Sequence, residues 1–129
     1  MNQVTLSTSQ TRRGTQSAFW AFAGIGVLVL AVTWAWYGLA IHEEASEQGK
    51  AEAAGTTMAG FAAMVGGVPL VLAHLVGVVL LSVLGWRTWR AVGLAYTLLS
   101  VTAASLLGLG AAQFLFGGNL FYTDPVFIP

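Results

Sequence analysis

Three long stretches of the chain contain no Asp, Glu, Lys or Arg: one between Arg13 and Glu43, one between Glu52 and Arg87, and one between Arg90 and Asp124. Each exceeds the roughly 20 apolar residues that carry an α-helix through about 30 Å of hydrocarbon. The pattern predicts three transmembrane spans, at about 18–41, 58–86 and 91–116. Strands are excluded, because three segments cannot close a barrel and an open sheet edge in lipid leaves backbone groups unsatisfied. The expected fold is an all-α membrane protein with three transmembrane helices.

The polar positions divide the rest. Residues 1–17, rich in Ser, Thr and Gln, read as a mobile polar tail with no hydrophobic period. Residues 42–57 are rich in Glu and Ala. The first helix is therefore expected to run on beyond the membrane until Gly55-Thr56-Thr57 turns the chain, with Thr56 or Thr57 capping the next helix. The second span, at about 29 residues and about 43 Å, is long for one crossing. It contains Gly66-Gly67-Val68-Pro69, which predicts a kink near Val65; alternatively Pro69 opens the helix and Met58 to Val65 lies along the outer interface. The short link between the second and third spans makes them antiparallel neighbours. Small residues four apart, at Ala59, Ala63 and Gly67 and at Ser100, Ala104, Gly108 and Ala112, offer stripes where helix backbones approach closely.

Composition agrees. Of 129 residues, 57% are hydrophobic and 8% charged, and the mean hydropathy is +0.77; soluble domains average about 25% charged. Five basic residues balance five acidic ones, so there is no cationic face for nucleic acid. Without cysteine there is no disulfide, thiolate metal site or thioether haem attachment. Arg12 and Arg13 precede the first span and Arg87 and Arg90 link the other two, whereas the first loop sets Lys50 against Glu43, Glu44, Glu47 and Glu52. That bias puts the N-terminus in the cytoplasm and the C-terminus outside. The aromatic residues divide the same way, with Phe19, Trp20, Trp86 and Trp89 at the inner interface and Trp34, Trp36, Tyr37, Phe121 and Tyr122 at the outer one. A secretory or twin-arginine signal is the competing reading of Arg12-Arg13, but the apolar run of about 24 residues outlasts the usual h-region.

His74 is the one strongly polar titratable side chain well inside a span, and such a residue is a candidate site by default. It could ligate haem, relay protons or contact a quinone. The structural alternative is a neutral imidazole bonded to a carbonyl or hydroxyl of a neighbouring helix. His42, at the outer end of the first span, should lie on the order of 15 Å away, too far to share a metal. No metal site and no catalytic residue is expected. Ser82, Thr97, Ser100, Thr102, Ser105 and Gln113 are expected to hydrogen-bond between helices, and no acid or base is placed to activate a serine. The acidic loop reads as a solvated helical face. The tail 117–129, with Phe121, Tyr122, Pro125, Phe127 and Pro129, is too apolar to be free and should rest on the bilayer or a neighbouring protein.

A short three-span chain with tryptophan-rich borders, an acidic outer hairpin, small-residue stripes and one isolated histidine resembles the small extra subunits of the actinobacterial cytochrome bcc-aa3 respiratory supercomplex. The resemblance covers overall character. It implies the plasma membrane, a non-catalytic stabilising role, no cofactor of its own, and other integral membrane subunits and lipids as partners, and it transfers no functional residue. A second resemblance, to succinate dehydrogenase membrane anchors, implies that His74 binds haem or contacts quinone, since such anchors offer a histidine from their second helix. The acidic residue those anchors often carry further along that helix is absent between Leu75 and Trp86. A channel or transporter would need a charged ring or an embedded carboxylate, and neither is present.

Overall fold

The computed structural model describes residues 3–121. They form α1 (Gln3–Ala53), a π-helical segment (Ala62–Gly67), α2 (Val68–Trp89) and α3 (Ala91–Leu115). Three helices are long and apolar enough to cross a membrane. Each packs against the other two. Their outward faces carry large apolar side chains such as Leu28 and Val32 on α1, Val76 and Val79 on α2 and Leu98 and Leu99 on α3. Such faces suit hydrocarbon and not water.

α1 is one helix of 51 residues, about 76 Å at 1.5 Å per residue, more than twice the hydrocarbon thickness. The polar stretch before residue 18, expected as a mobile tail, belongs to this helix. Nucleation is the costly step in helix formation, and the apolar span supplies the nucleus from which the polar turns propagate. Thr8, Thr11 and Thr15 return their hydroxyls to carbonyls one turn back, at 2.8, 3.0 and 2.9 Å. At the other end α1 continues to Ala53, as the Glu/Ala composition leads one to expect.

The following turn uses Gly55 and Gly60, both at positive φ (75° and 87°), and the second span starts later than its composition indicates, at Ala62. Neither Thr56 nor Thr57 caps it. Thr57 Oγ1 instead accepts the Ala59 amide at 3.0 Å. The free amides are met from α1: Gln48 Oε1 accepts the N–H of Met58 at 2.8 Å, and Glu44 Oε2 that of Ala62 at 2.7 Å. One member of the acidic face is therefore a helix cap reached across the hairpin.

No broken helix lies at Pro69. The π-helical segment leads directly into α2, the Val68 amide reaching back five residues to the Ala63 carbonyl, and Pro69 sits in the first turn of α2, where a missing N–H costs least. Ala62 and Gly66 are buried. A Cβ on Gly66 would meet the Ala40 Cβ and the Tyr37 backbone at 2.9 Å. The close-packed row is thus Ala62, Gly66 and Leu70; Ala59 and Ala63 are exposed on an open groove beside α1.

The α3 stripe behaves as expected: Ala104, Gly108 and Ala112 are buried, and a Cβ on Gly108 would come within 2.7 Å of the Ala31 nitrogen of α1. α2 and α3 are antiparallel neighbours joined through a single residue. Arg90 takes φ 57°, ψ −130°, a conformation that L side chains rarely adopt. The reversal is this sharp because Gly85 and Gly93 touch backbone to backbone, a Cβ on Gly85 falling 2.6 Å from the Gly93 oxygen. Phe19, fully buried, and Trp89 pack edge to face at 5.2 Å, and Trp89 meets Tyr96 at 5.0 Å. Arg12, Arg13, Arg87 and Arg90 accordingly belong to the same end of the bundle.

α3 ends in a Schellman turn. Gly117 and Gly118 have φ 60° and 86°, the Gly118 amide bonds the Gln113 carbonyl at 2.8 Å, and the Gly117 amide bonds the Phe114 carbonyl at 3.1 Å. The chain then folds back on itself. The Gln113 side chain accepts the Leu120 amide at 3.1 Å, Leu120 is fully buried against Gly38 and Phe116, and Phe121 packs on Trp34 and Tyr37. The described part of the tail thus rests on α1 of the same chain. The rest of that tail, including Tyr122, Pro125, Phe127 and Pro129, lies outside the described residues.

Candidate functional site

His74 lies on α2 one turn after Leu70, and its Nδ1 is 2.8 Å from the Leu70 carbonyl. A carbonyl can only accept, so Nδ1 carries the proton and donates. Nε2 is 2.8 Å from Ser105 Oγ on α3. The same hydroxyl oxygen lies 3.2 Å from the indole Nε1 of Trp34 on α1, whose N–H can only donate. One assignment satisfies every group in the neutral state: Trp34 N–H donates to Ser105 Oγ, the Ser105 hydroxyl donates to His74 Nε2, and His74 Nδ1–H donates to Leu70. The Trp34 and His74 rings stand edge to face, 6.3 Å apart at 87°. Three helices are joined at one hydroxyl.

Both imidazole nitrogens are therefore engaged within the bundle. Ligation of haem iron would need one of them free, and Nε2 could be released only by breaking its bond with Ser105. The chain of donors also ends on a backbone carbonyl, which cannot pass a proton on. This arrangement can couple α1, α2 and α3 mechanically.

A second polar link lies nearer the hairpin. Val65 lies in the π-helical segment that leads into Pro69, and its carbonyl accepts from Trp36 of α1, whose Nε1 lies 2.9 Å away. A side chain of α1 thus bonds the backbone where the second span departs from regular α-helix.

His42 stands apart. Its Nε2 donates to the Asn119 carbonyl at 2.9 Å, and its ring stacks on Phe116 at 5.4 Å. It lies eight residues, about 12 Å, along α1 from the Trp34 that meets His74. Among the described residues no group of His, Asp or Glu is placed to hold a metal ion.

Of the hydroxyl and amide side chains expected to bridge helices, Ser105 does so. Thr97 bonds the Gly93 carbonyl of its own helix at 3.0 Å, and Gln113 serves the tail turn. Trp34 was assigned to the outer aromatic belt, yet it is a half-buried member of the polar cluster. Trp36, expected at the same belt, bonds the Val65 carbonyl, a contact that no local pattern in the sequence signals. Glu47 pairs with Lys50 at 2.7 Å, and that hydrogen bond together with the carboxylate charge raises the Lys50 pKa above its ordinary 10.5. This pair is exposed and remains a solvated surface feature. Comparison with protein-family models, with curated proteins and with solved structures finds no match.

Proposed function

We propose that the chain is a non-catalytic accessory subunit of a larger integral membrane assembly, of the respiratory oxidase type, in the plasma membrane. In this reading the arginine end faces the cytoplasm and the glutamate hairpin faces outward, following the asymmetry of basic residues. The observation that carries the proposal is the projection of α1. From Gln3 to Ser17 it is largely polar and almost wholly exposed, Val4 and Leu6 included, with none of its side chains bonded to another helix among the described residues. A projecting helix of this kind suits a bridge to another body. The internal satisfaction of His74 supports the same reading, since it assigns that residue to holding helices together. A succinate dehydrogenase-like anchor would have to break one of two good hydrogen bonds to present an imidazole nitrogen.

Solubilisation of native membranes in a mild detergent, followed by native electrophoresis, tests this. The expected result is that the chain migrates within a larger complex and that Thr11→Pro, which interrupts the projecting helix without touching the spans, releases it. A parent chain that runs as a free monomer overturns the proposal. So does a b-type haem spectrum that disappears in His74→Ala.

A further inference from the structure

Trp36, Leu39, Ala40 and Glu43 recur at the three- and four-residue spacing that places them on one face of α1. Facing them, Phe61 and Val65 complete an open cleft of about 360 Å³. Its wall is aromatic and aliphatic, and its one charged group is Glu43. That carboxylate is exposed, with no hydrogen bond or ion pair among the described residues, whereas Glu44 beside it is used as a cap and Glu47 is paired. Glu43 lies just past the apolar part of α1, at the level of lipid headgroups, and Trp36 lies seven residues, about 10 Å, deeper.

The cleft does not stop at Trp36. A second groove, of about 270 Å³, runs on along α1 past Val32 and Ala35 to Leu115 of α3, and shares Trp36 and Leu39 with the first. The combined trough has a carboxylate beside two aromatic rings at its headgroup end and purely apolar side chains below. Aromatic rings with an adjacent carboxylate favour an organic ammonium ion, and the absence of Lys or Arg from the lining disfavours an anionic head. The apolar extension fits a hydrocarbon chain.

We propose that this trough binds an ammonium-headed lipid, its nitrogen at Glu43 in the cleft that Phe61 and Trp36 line and its acyl chain past Trp36 along Val32 and Leu115. The assignment is independent of which assembly the chain joins. It explains why Glu43 is left unpaired in a hairpin where Glu44 and Glu47 are not. Trp36 links the site to the fold, because its indole N–H holds the Val65 carbonyl.

The test uses the full chain in maltoside micelles, with the Trp36 indole N–H resonance as reporter and dodecyltrimethylammonium as probe. Saturable binding is expected, weakened about tenfold by Glu43→Gln, the scale of one lost ionic contact, and also reduced by Phe61→Leu. Glu47→Gln, which alters a solvated pair in the same hairpin, should bind as the parent does. In nanodiscs of mixed phospholipids, native mass spectrometry should find phosphatidylethanolamine retained over phosphatidylglycerol, a preference lost in Glu43→Gln. The proposal is overturned if Glu43→Gln binds like the parent. Equal binding of dodecyl sulfate, or of chainless tetramethylammonium, overturns it too.

Discussion

The two ends of the bundle are held together by different physics. At the arginine end, α2 and α3 meet through the bare backbones of Gly85 and Gly93, and apolar rings close around them: Phe19 from α1, Trp89 from α2 and Tyr96 from α3. Toward the hairpin, close approach at Gly66 and Gly108 is joined by polar links, running from Trp34 through Ser105 to His74, from Trp36 to the Val65 carbonyl, and from Glu44 to the Ala62 amide. The difference follows the regularity of the second span. Where α2 is a regular helix its backbone is satisfied internally, so close approach is all that association requires. Where Pro69 and the π-helical segment disturb the ladder, side chains of α1 bond the backbone of the second span. Apolar burial cannot favour helix association in lipid, so both ends depend on contact and hydrogen bonding, in opposite proportions.

If that contrast is right, the largest effect belongs to the glycine contact. Gly93→Val sets a side chain against the Gly85 backbone, which cannot move as a side chain can, and must push α2 and α3 apart. A loss of about 3 kcal/mol or more is expected, seen as a collapse of the monodisperse folded fraction in detergent on size-exclusion chromatography. Next comes Ser105→Ala, which removes the partner of both His74 and Trp34. Interhelical hydrogen bonds in membranes average about 0.6 kcal/mol, so the pair should cost about 1–2 kcal/mol in a reversible unfolding titration. Ser105→Thr, which keeps the hydroxyl, should cost less.

Trp36→Phe, which removes the indole donor to the Val65 oxygen, should lose about 1 kcal/mol in the same titration, and an unchanged stability would show that this bond holds nothing together. The smallest effect is expected at Gly38. The nearest atoms to a methyl group there belong to the side chains of Leu120 and Phe116, which give way more cheaply than backbone, and Gly38→Ala should cost distinctly less than Gly93→Val. A Gly38→Ala loss as large as that of Gly93→Val would erase the distinction between backbone and side-chain contact.

How far the sequence could foretell this depended on whether a feature is set by composition or by helix rotation. The three spans were legible because a charge in hydrocarbon is costly at any rotation, so the gaps between Arg13 and Glu43, Glu52 and Arg87, and Arg90 and Asp124 mark them directly. The α3 stripe at Ala104, Gly108 and Ala112 was legible because it is the dominant small-residue row of that helix. In the second span two rows compete, and only packing against Tyr37 and Ala40 selects Ala62 and Gly66 over Ala59 and Ala63. His74 was found as a lone polar group, but its partners Trp34 and Ser105 depend on the relative rotation of three helices, which no local pattern encodes. The helix over Gln3–Ser17 was missed for another reason. It has no hydrophobic period and inherits its conformation from the span that follows it.

The central claim is that the polar group inside the bundle is consumed in holding three helices together. Nitrogen-15 NMR of histidine-labelled protein in lipid bilayers at neutral pH tests it most directly. The account predicts a His74 ring protonated at Nδ1 and bare at Nε2, with the Nε2 resonance moving in Ser105→Ala. A ring protonated at Nε2, or an Nε2 resonance indifferent to the loss of Ser105, would contradict it.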